Sequence, residues 1–342
     1  MKKSKWLLLA FISVSSLLSS AQAPIDSVKF FTDEDIVEIS LSTDIRKLQN
    51  EKLPDIFQPA EVTLTLPGKP PIKEGITVAA RGHFRRDNCN IPPIMIDFKN
   101  PSSPILSPLG KLKLVIACGP RADDEQLVLK EFLVYKMYNL LENKSFRVRL
   151  VKLSYNDTRG KIKPFTQYAF LVEDDKDMAT RNGCIKKDKA TYNTESTNRS
   201  LMTKVAVFEY MISNGDWSVP GNHNIKLIYD KQNSNALPFV VPYDFDHSGF
   251  VNAGYALPSE ILGTEAVTER VYRGFPRSME ELQLTFDLFK AKKEAIMSLI
   301  NNFTLLKESY RKEATRYLEE FYKTINSKRE VQSIFIDNAR TK

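Results

Sequence analysis

The chain has few of the residue types on which many metal and hydrolytic sites depend. Its 342 residues include 3 cysteines and 3 histidines. Neither a Gly-x-Ser-x-Gly elbow nor an HExxH helix motif occurs, so nothing favours nucleophilic hydrolysis or a helical zinc site. The cysteines, Cys89, Cys118 and Cys184, have no zinc-like spacing, and their odd number allows at most one disulfide. We favour Cys89 with Cys118, which lie in the same predicted half, and keep free thiols as the alternative.

Long hydrophobic runs are absent after the N-terminus. Three lysines precede an apolar run from Trp6 to Leu18, and small residues follow up to Ala23, which is the pattern of an export signal. That run is too short to span a bilayer comfortably, and no other run approaches the roughly 20 residues of a spanning helix. We therefore expect residues 1–23 to be removed and the mature chain to be soluble and exported, whether periplasmic, at the cell surface or secreted. Because no cysteine follows the predicted cleavage site closely, no lipid anchor is expected.

A strong charge of one sign is also missing. The formal net charge of +7 includes the three lysines of the predicted signal and becomes +4 without them. Such an excess is too small to indicate nucleic acid as a partner. The mature chain of about 320 residues, with 42% hydrophobic residues, is long enough for a large core or for two lobes that share a cleft.

Alternating apolar residues predict a β-rich first part. The strand-like segments before residue 120 are 61–66, 76–80, 94–98 and 111–117. A helix with a broad apolar face follows at 124–143, and the acidic residues of its first turn suit the helix dipole. Strand patterns return at 146–155 and 168–173.

The second part mixes loops, short strands and helices. The predicted elements are a solvated loop or a lid at 174–199, a helix at 201–213, strands at 225–229 and 237–241, and a helical end at 265–326. Together these patterns predict an α+β fold with a β-rich N-terminal lobe at 24–120 and a larger lobe at 121–342.

The most informative pattern is a helix end followed by acids and amides on both sides of a predicted hairpin. Because the helix stops just before it, Asp216 begins a loop, where positioned catalytic groups usually lie. The hairpin of residues 225–241 returns the chain to the same end, so Asp244 and Asp246 are expected near Asp216 and Asn224. Carboxylate and amide oxygens are the ligands that Mg²⁺ prefers. The pattern therefore favours a Mg²⁺ site beside a catalytic acid.

Three other interpretations of the same residues stay open. Asp216 and Asp244 could cap turns by accepting backbone N–H groups without any metal. A zinc or iron centre could use His223, His247 and Asp244. The segment from Asp244 also mimics the opening of an EF-hand loop, but its twelfth position is Tyr255 rather than the required glutamate.

The order of these segments resembles that of the spore-coat-protein-H (CotH) kinase-like family, a distant relative of protein kinases. The matching features are Arg81-Gly82, the 124–143 helix, the strand at 168–173, Asp216-Trp217 with Pro220-Gly221-Asn222, and Pro242-Tyr243-Asp244-Phe245-Asp246. The resemblance spans roughly residues 60 to 260, and its specific part runs from Asp216 to Asp246. It implies a two-lobed, protein-kinase-like fold with a β-rich N-terminal lobe and a mostly helical C-terminal lobe.

The resemblance also implies roles for residues in the second lobe. Asp216 corresponds to the catalytic-loop acid, Asn222 or Asn224 to the amide metal ligand, and Asp244 to the main acidic metal ligand, assisted by Asp246. The asparagines stand farther from the acid than in the family's compact Asp-Trp-Pro-Gly-Asn-Asn form, because the chain has extra residues between them. The choice between the two amides therefore stays open.

The nucleotide end of the predicted site is less defined. No Gly-x-Gly-x-x-Gly phosphate loop occurs, so the cation for the phosphates has to come from Arg81, Arg85 or Lys113. Glu131 on the following helix is the expected orienting partner of that cation. Glu173 closes a strand where the family tends to keep an acid, so we include it among the cofactor-binding residues.

The activity that the resemblance implies is transfer of the γ-phosphoryl group of ATP to a protein hydroxyl with Mg²⁺ as cofactor. Nucleoside triphosphate is scarce outside the cytoplasm. The alternative is therefore a catalytically inactive exported protein that uses the same scaffold for binding or for interactions in the cell envelope.

Overall fold

A computed structural model describes residues 23–51, 53, 55–82, 84–99, 104–187 and 191–340. The predicted export signal therefore lies outside the described residues except for Ala23. The strands are β1 (Val37–Thr43), β2 (Gln58–Thr65), β3 (Ile72–Ala80), β4 (Ile94–Asp97), β5 (Lys111–Val115), β6 (Val148–Asp157), β7 (Phe165–Val172), β8 (Cys184–Ile185), β9 (Ile225–Asp230) and β10 (Phe239–Pro242). The helices are α1 (Ser27–Phe30), α2 (Ile45–Asn50), α3 (Phe84–Asn88), α4 (Ala122–Leu141), α5 (Asp175–Arg181), α6 (Arg199–Met211), α7 (Met279–Asn301), α8 (Glu308–Asn326) and α9 (Lys328–Val331).

The first seven strands form a closed barrel in the order β1-β2-β3-β4-β5-β7-β6. Closure comes from β1, which pairs in parallel with β6, so that Val37 lies opposite Val151. The other pairings are antiparallel. Along β1 the apolar residues alternate with polar ones, and Ile39 and Leu41 are buried in a core that fills the barrel.

The predicted two-lobed, protein-kinase-like fold is wrong, because the N-terminal sheet is a closed barrel. Strands β6 and β7, which lie beyond residue 120, complete that barrel. Alternation identified six of the seven barrel strands, all but β1, but it carries no information on which strands pair. The pairing of Val37 with Val151 joins residues more than a hundred positions apart, and only the three-dimensional fold specifies such a contact.

A second core joins α4, α6, α7 and α8 to the outside of the barrel. The small sheet β10-β9-β8 packs beside α6. At the start of α4 the backbone N–H of Arg121 donates to Asp124 Oδ2 at 3.1 Å, which confirms the predicted acidic first turn. The described residues include no helix with both the length and the apolar character of a membrane span.

Two sequence predictions for the second part need correction. The segment predicted as a loop or lid at 174–199 contains α5, β8 and a short 3₁₀ turn at Thr194–Ser196. The predicted helical end does not begin at 265. Helix α7 begins at Met279, where Ser278 and Glu281 form a capping box with each other's backbone N–H groups.

The disulfide between Cys89 and Cys118 confirms the predicted pairing. It joins the residue that follows α3 to a residue three positions after the end of β5. Cys184 is a buried free thiol. The cross-link therefore fixes α3, which carries Arg85, against the segment that follows β5.

Candidate functional site

A cleft of about 370 Å³ lies between one end of the barrel and the loops that follow α6 and β10. Most of the residues predicted for the site line it. They are Arg81, Lys113, Asp216, Asn222, Asn224, Asp244 and Asp246. The other two, Glu131 and Glu173, do not.

The extra residues between Asp216 and Asn224 form a small hairpin. Ser218 and His223 exchange two backbone hydrogen bonds of 3.0 and 2.9 Å, and the N–H of Gly221 donates to the Ser218 hydroxyl at 3.1 Å. This hairpin turns the chain back on itself, so that Asn224 returns to Asp216. The extra residues are thus accommodated by a local fold, and the acid and the amide meet.

The β9–β10 hairpin brings the two halves of the motif together, as the sequence predicted. Pro242 lies opposite Ile225 in the sheet, and the N–H of Tyr243 donates to the carbonyl oxygen of Asn224 at 3.0 Å. The next N–H, that of Asp244, donates to the Tyr135 hydroxyl of α4 at 2.8 Å. Backbone contacts on both sides therefore fix where Asp244 enters the cleft.

Three residues of the cleft have left-handed backbone conformations. Their φ angles are 49° at Asn222, 50° at Asn224 and 66° at Asp244. Asn and Asp tolerate this region better than other residues with a side chain, but it still costs conformational energy. Such strain is often concentrated at functional sites, and the fold maintains it here at three positions that line one cleft.

Both carboxylate oxygens of Asp216 have a partner. His223 Nε2 lies 2.7 Å from Asp216 Oδ1, and Asn224 Nδ2 donates to Asp216 Oδ2 at 2.9 Å and to its carbonyl oxygen at 2.7 Å. The Asp216 side chain is still 39% exposed, so a substrate group can reach it. Because Asn224 uses its amide nitrogen for these contacts, its amide oxygen is the atom available to a metal. Asn222 is exposed at the turn and does not make these contacts.

Asp246 is buried at the inner end of the cleft. Tyr255 donates its hydroxyl hydrogen to Asp246 Oδ2 at 2.9 Å, and Arg85 Nη1 lies 3.9 Å from the same oxygen. Burial raises the pKa of Asp246, and the nearby charge of Asp244 adds to this effect, while Arg85 opposes it. A bound cation in the cleft would favour the ionised form of this carboxyl.

Arg85 is the cation that meets Glu131. Its Nη1 lies 3.8 Å from Glu131 Oε2, and its Nη2 donates to the carbonyl oxygen of Ile116. Burial raises the pKa of Glu131 well above its ordinary value; Asp246 raises it further and Arg85 opposes both. Arg85 lines the cleft, whereas Glu131 lies behind it. Glu131 therefore orients the buried Arg85, one of the three predicted cations, at a point where α3, α4 and the acidic end of the cleft meet.

The cleft is also lined by the cations Arg81, Arg85 and Lys113. Lys113 Nζ lies 4.3 Å from the centre of the Tyr243 ring, and Lys226 Nζ lies 5.3 Å from it. Burial lowers the pKa of Lys113 to about 8, and the positive charge of Arg81 also lowers it, while Asp244 acts in the opposite direction. A polyanion would relieve the repulsion among these cations, so they suit a phosphate chain.

Glu173 lies outside the cleft, in an ion pair of its own. Its Oε1 accepts a hydrogen bond from Arg181 Nε at 2.8 Å, and its Oε2 accepts one from the N–H of Arg147 at 3.0 Å. The side chain is buried, and these contacts account for its carboxylate. Its position therefore does not support the predicted role in cofactor binding, and its contacts join α5 to the start of β6.

The other metal centres considered from the sequence are not assembled. Within the part of the chain that the structure describes, no group of three or more His, Cys, Asp or Glu side chains could hold a metal ion. The zinc or iron centre of His223, His247 and Asp244 would be such a group. A site in the cleft would therefore depend on the amide oxygen of Asn224 and on substrate oxygens as well as on carboxylates. That set of oxygen donors fits Mg²⁺, which commonly uses one or two carboxylates plus phosphates and water.

Sequence reasoning missed some of the contacts in the cleft. His223 was considered as a zinc ligand, whereas its imidazole contacts Asp216. Tyr243 and Lys226 were not assigned, although Tyr243 stands beside Asp244 in the motif. The proximity of two of the three histidines to the proposed acids was the available signal for His223. No signal marked Lys226, because its cross-strand position depends on the register of β9 and β10.

Comparison with known proteins gives no family assignment. No protein-family model matches the chain, and no significant match was found among curated proteins. The resemblance to the CotH kinase-like family thus stays a prediction from the sequence motif.

Proposed function

We propose that the chain is an exported phosphotransferase related to the CotH family, which moves a phosphoryl group from a Mg²⁺-bound nucleotide to a protein hydroxyl. One observation carries this proposal. A single cleft combines an accessible acid, Asp216, with the oxygen donors Asn224, Asp244 and Asp246 and with the cations Arg81 and Lys113. An acid near the acceptor, oxygen ligands for a divalent ion and cations for the phosphates are what this transfer needs.

The residues of the cleft have separate roles in the proposed transfer. Arg81 and Lys113 would bind the phosphate chain, while Asn224 and Asp244, with Asp246 behind them, would hold Mg²⁺. When bound, the ion would neutralise negative charge on the phosphates. The Asp216 carboxylate orients the acceptor hydroxyl and accepts its proton. The acceptor oxygen forms a bond to the γ-phosphorus as the bond from that phosphorus to the β,γ-bridging oxygen breaks, and the nucleoside diphosphate leaves with the electron pair.

A second candidate is a non-catalytic exported binding protein. It is favoured by the two hydrogen-bond partners of Asp216, His223 and Asn224, because they already occupy both oxygens of the carboxylate. In that case the same cleft would bind an anionic ligand without turnover. Export, which rests on the sequence pattern of residues 1–23, belongs to both candidates.

The test measures Mg²⁺-ATP binding by titration calorimetry and phosphoryl transfer to a generic protein acceptor such as casein. We expect Asp216→Asn to keep Mg²⁺-dependent binding but to lose at least about a hundredfold in turnover. We expect Asp244→Asn to lose the Mg²⁺-dependent heat. Asp230→Asn is the matched control, because Asp230 lies in the same β9–β10 hairpin and caps its turn outside the cleft.

Three outcomes discriminate the candidates. Turnover that depends on Asp216 supports the phosphotransferase. Mg²⁺-dependent binding with no turnover of ATP, by hydrolysis or by transfer, supports the non-catalytic candidate. If Asp216→Asn and Asp244→Asn match the parent chain in both binding and turnover, the cleft is not the site of either activity.

A further inference from the structure

A second cavity borders the candidate cleft at the proposed catalytic acid. Its volume is about 140 Å³, and it lies between the loop after α6 and the segment 257–271. Two residues, Asp216 and His247, line both this second cavity and the cleft. A molecule in the second cavity therefore lies next to Asp216 without occupying the space assigned to Mg²⁺ and the phosphates.

Aromatic contacts restrict the position of His247, which the two spaces share. The centre of its ring lies 5.8 Å from that of Phe84 of α3, in an edge-to-face arrangement, and 5.6 Å from that of Tyr255. Tyr255 in turn donates its hydroxyl hydrogen to Asp246. The residue at the junction of the two spaces is therefore packed against the same side chains that shape the cleft.

The wall of the second cavity that faces the loop is attached to the body of the protein. The Ser213 hydroxyl donates to the carbonyl oxygen of Val267 at 2.8 Å, and the N–H of Gly249 donates to the carbonyl oxygen of Ser213 at 2.9 Å. A Cβ at Gly249 would lie 2.5 Å from the Val267 carbonyl oxygen, so this close approach requires glycine. The carbonyl oxygen of Thr268 accepts the hydroxyl hydrogen of Tyr317, on α8, at 2.9 Å. A ligand therefore does not have to order this wall when it binds.

Leu262 places an apolar side chain against the residue that precedes the acid. A Cβ at Gly215 would lie 2.8 Å from Leu262 Cδ1, so the leucine packs directly on the backbone next to Asp216. A compact turn holds Leu262 in this place. Its N–H donates to the Ser259 carbonyl oxygen at 3.1 Å, and the N–H of Ser259 donates to the Thr264 hydroxyl at 2.9 Å.

The lining of the second cavity combines apolar side chains with negative charge. Its apolar members include Leu257, Leu262, Val267 and Val271, and its acids include Asp216 and Glu269. A protein cavity of about 150 Å³ accommodates a molecule of the size of benzene. The second cavity therefore suits one aliphatic side chain, and the carboxylates in its lining disfavour an acidic one.

We propose that the second cavity is an acceptor subsite, which binds an aliphatic side chain of a polypeptide whose nearby hydroxyl lies at Asp216. This inference rests on the proposed function, because it takes Asp216 as the acid that receives the acceptor hydroxyl. The aliphatic side chain would hold the hydroxyl beside Asp216 while Arg81 and Lys113 bind the phosphate chain, which places the two reactants in one geometry. The cavity thus selects hydroxyl residues that have an aliphatic neighbour over those that have an acidic one.

Peptide acceptors test this selectivity. The probes are alanine-based peptides with one central serine, in which leucine, lysine or aspartate replaces a single alanine on either side of the serine. With the full chain and Mg²⁺-ATP, we expect leucine at one of these positions to raise kcat/KM about tenfold over alanine, and aspartate there to lower it. Equal kcat/KM for all peptides would overturn the subsite. A preference for lysine over leucine would show that charge decides the selectivity, and it would overturn the assignment to an aliphatic side chain.

Two adjacent residues of the chain provide a matched pair of variants. Leu262→Asn replaces an apolar lining residue by a polar one of similar size, and it should abolish the preference for leucine. Ile261→Asn makes the same change at a side chain that is 97% exposed outside the cavity, and it should keep the preference. If Leu262→Asn does not fold, Leu257→Asn alters a lining residue that is 79% exposed, and it should weaken the preference.

Nucleotide binding shows whether these variants are intact. Calorimetry should give the same Mg²⁺-ATP affinity for all three variants as for the parent chain, because the altered side chains lie outside the cleft. A preference for leucine that survives in both Leu262→Asn and Leu257→Asn would contradict the subsite.

Binding of the same peptides in the absence of nucleotide separates this inference from the proposed function. With fluorescein-labelled peptides, fluorescence anisotropy should show that the parent chain binds the leucine peptide about tenfold more tightly than the aspartate peptide, and that Leu262→Asn removes this difference. If the difference is found but no peptide is phosphorylated, the cavity is a peptide-binding subsite and the phosphotransferase is refuted. If peptides are phosphorylated without any dependence on the neighbouring residue or on Leu262, the phosphotransferase stands and the subsite is refuted. Absence of both binding and phosphorylation would refute the two together.

Discussion

Replacing Cys89 and Cys118 together by serine should lower the free energy of unfolding by about 3.6 kcal/mol. The disulfide joins residues 29 positions apart. A cross-link of this kind restrains mainly the unfolded chain, by about 3 kcal/mol for a loop of 15 residues and about 4.7 kcal/mol for one of 100. The loop between Cys89 and Cys118 falls between these limits.

The fall in the free energy of unfolding can be measured by urea denaturation at neutral pH. With a slope of about 3 kcal/mol per molar urea, the midpoint should fall by about 1.2 M. Adding a reductant to the parent chain should produce a similar fall and should leave the double variant unchanged. The control Cys184→Ala removes a buried thiol that forms no cross-link. Its disulfide stays intact, so reductant should lower its urea midpoint as it does in the parent chain.

The same variant should affect the cleft. The disulfide fixes α3 to the end of β5, and Arg85 of α3 reaches the Ile116 carbonyl and Asp246 across that junction. We therefore expect weaker Mg²⁺-ATP binding in the double variant at urea-free, fully folded conditions. Equal urea midpoints for parent and double variant, with and without reductant, would refute the reasoning that this cross-link restrains the chain.

Three further predictions follow from the buried charges. Arg85→Met should lower the free energy of unfolding by about 3–5 kcal/mol at neutral pH, because Glu131 and Asp246 lose their counter-charge, and by less at pH 5; a loss independent of pH would contradict this. Mg²⁺-ATP affinity should fall as pH rises through about 8, where Lys113 loses its charge, and calorimetry at pH 7 and pH 9 should show that Lys113→Arg prevents the fall. The folded chain keeps the proton of Glu209 up to about pH 8, whereas the unfolded chain loses it near 4.5. The stability that this proton contributes, up to about 5 kcal/mol, is fully present below pH 4.5 and is lost as pH rises to about 8; unfolding of Glu209→Gln from pH 5 to pH 9 should lack this decline, and a parallel decline in parent and variant would argue against it.

The amino-acid sequence was sufficient for the local elements of the site. Alternation predicted most of the barrel strands, and the stop after α6 placed Asp216 on a loop. The β9–β10 hairpin could be predicted because its two strands are close in sequence, and its closure necessarily brings Asp244 back towards Asn224. The pairing of Cys89 with Cys118 was favoured for a similar reason, since both belong to one short stretch of the chain.

Contacts between distant segments could not be predicted in this way. The closure of the barrel depends on the parallel pairing of β1 with β6, and the partner of Glu131 depends on how α3 meets α4. Glu173 closes a strand, and this position in the sequence predicted a role in cofactor binding. In the structure it lies opposite Arg181 and forms an ion pair with it instead. Each of these outcomes is decided by the packing of segments far apart in the chain.

The sequence by itself therefore determined most of the strands and helices and which acids and amides approach the cleft, because periodicity and turn chemistry act over a few residues. Tertiary structure alone decided that the sheet closes into a barrel, that Arg85 rather than Lys113 meets Glu131, and that Glu209 is buried beside Asn214 without a partner for its carboxyl. Burial and charge pairing depend on which surfaces exclude water together, and that is a property of the packed molecule rather than of any local pattern.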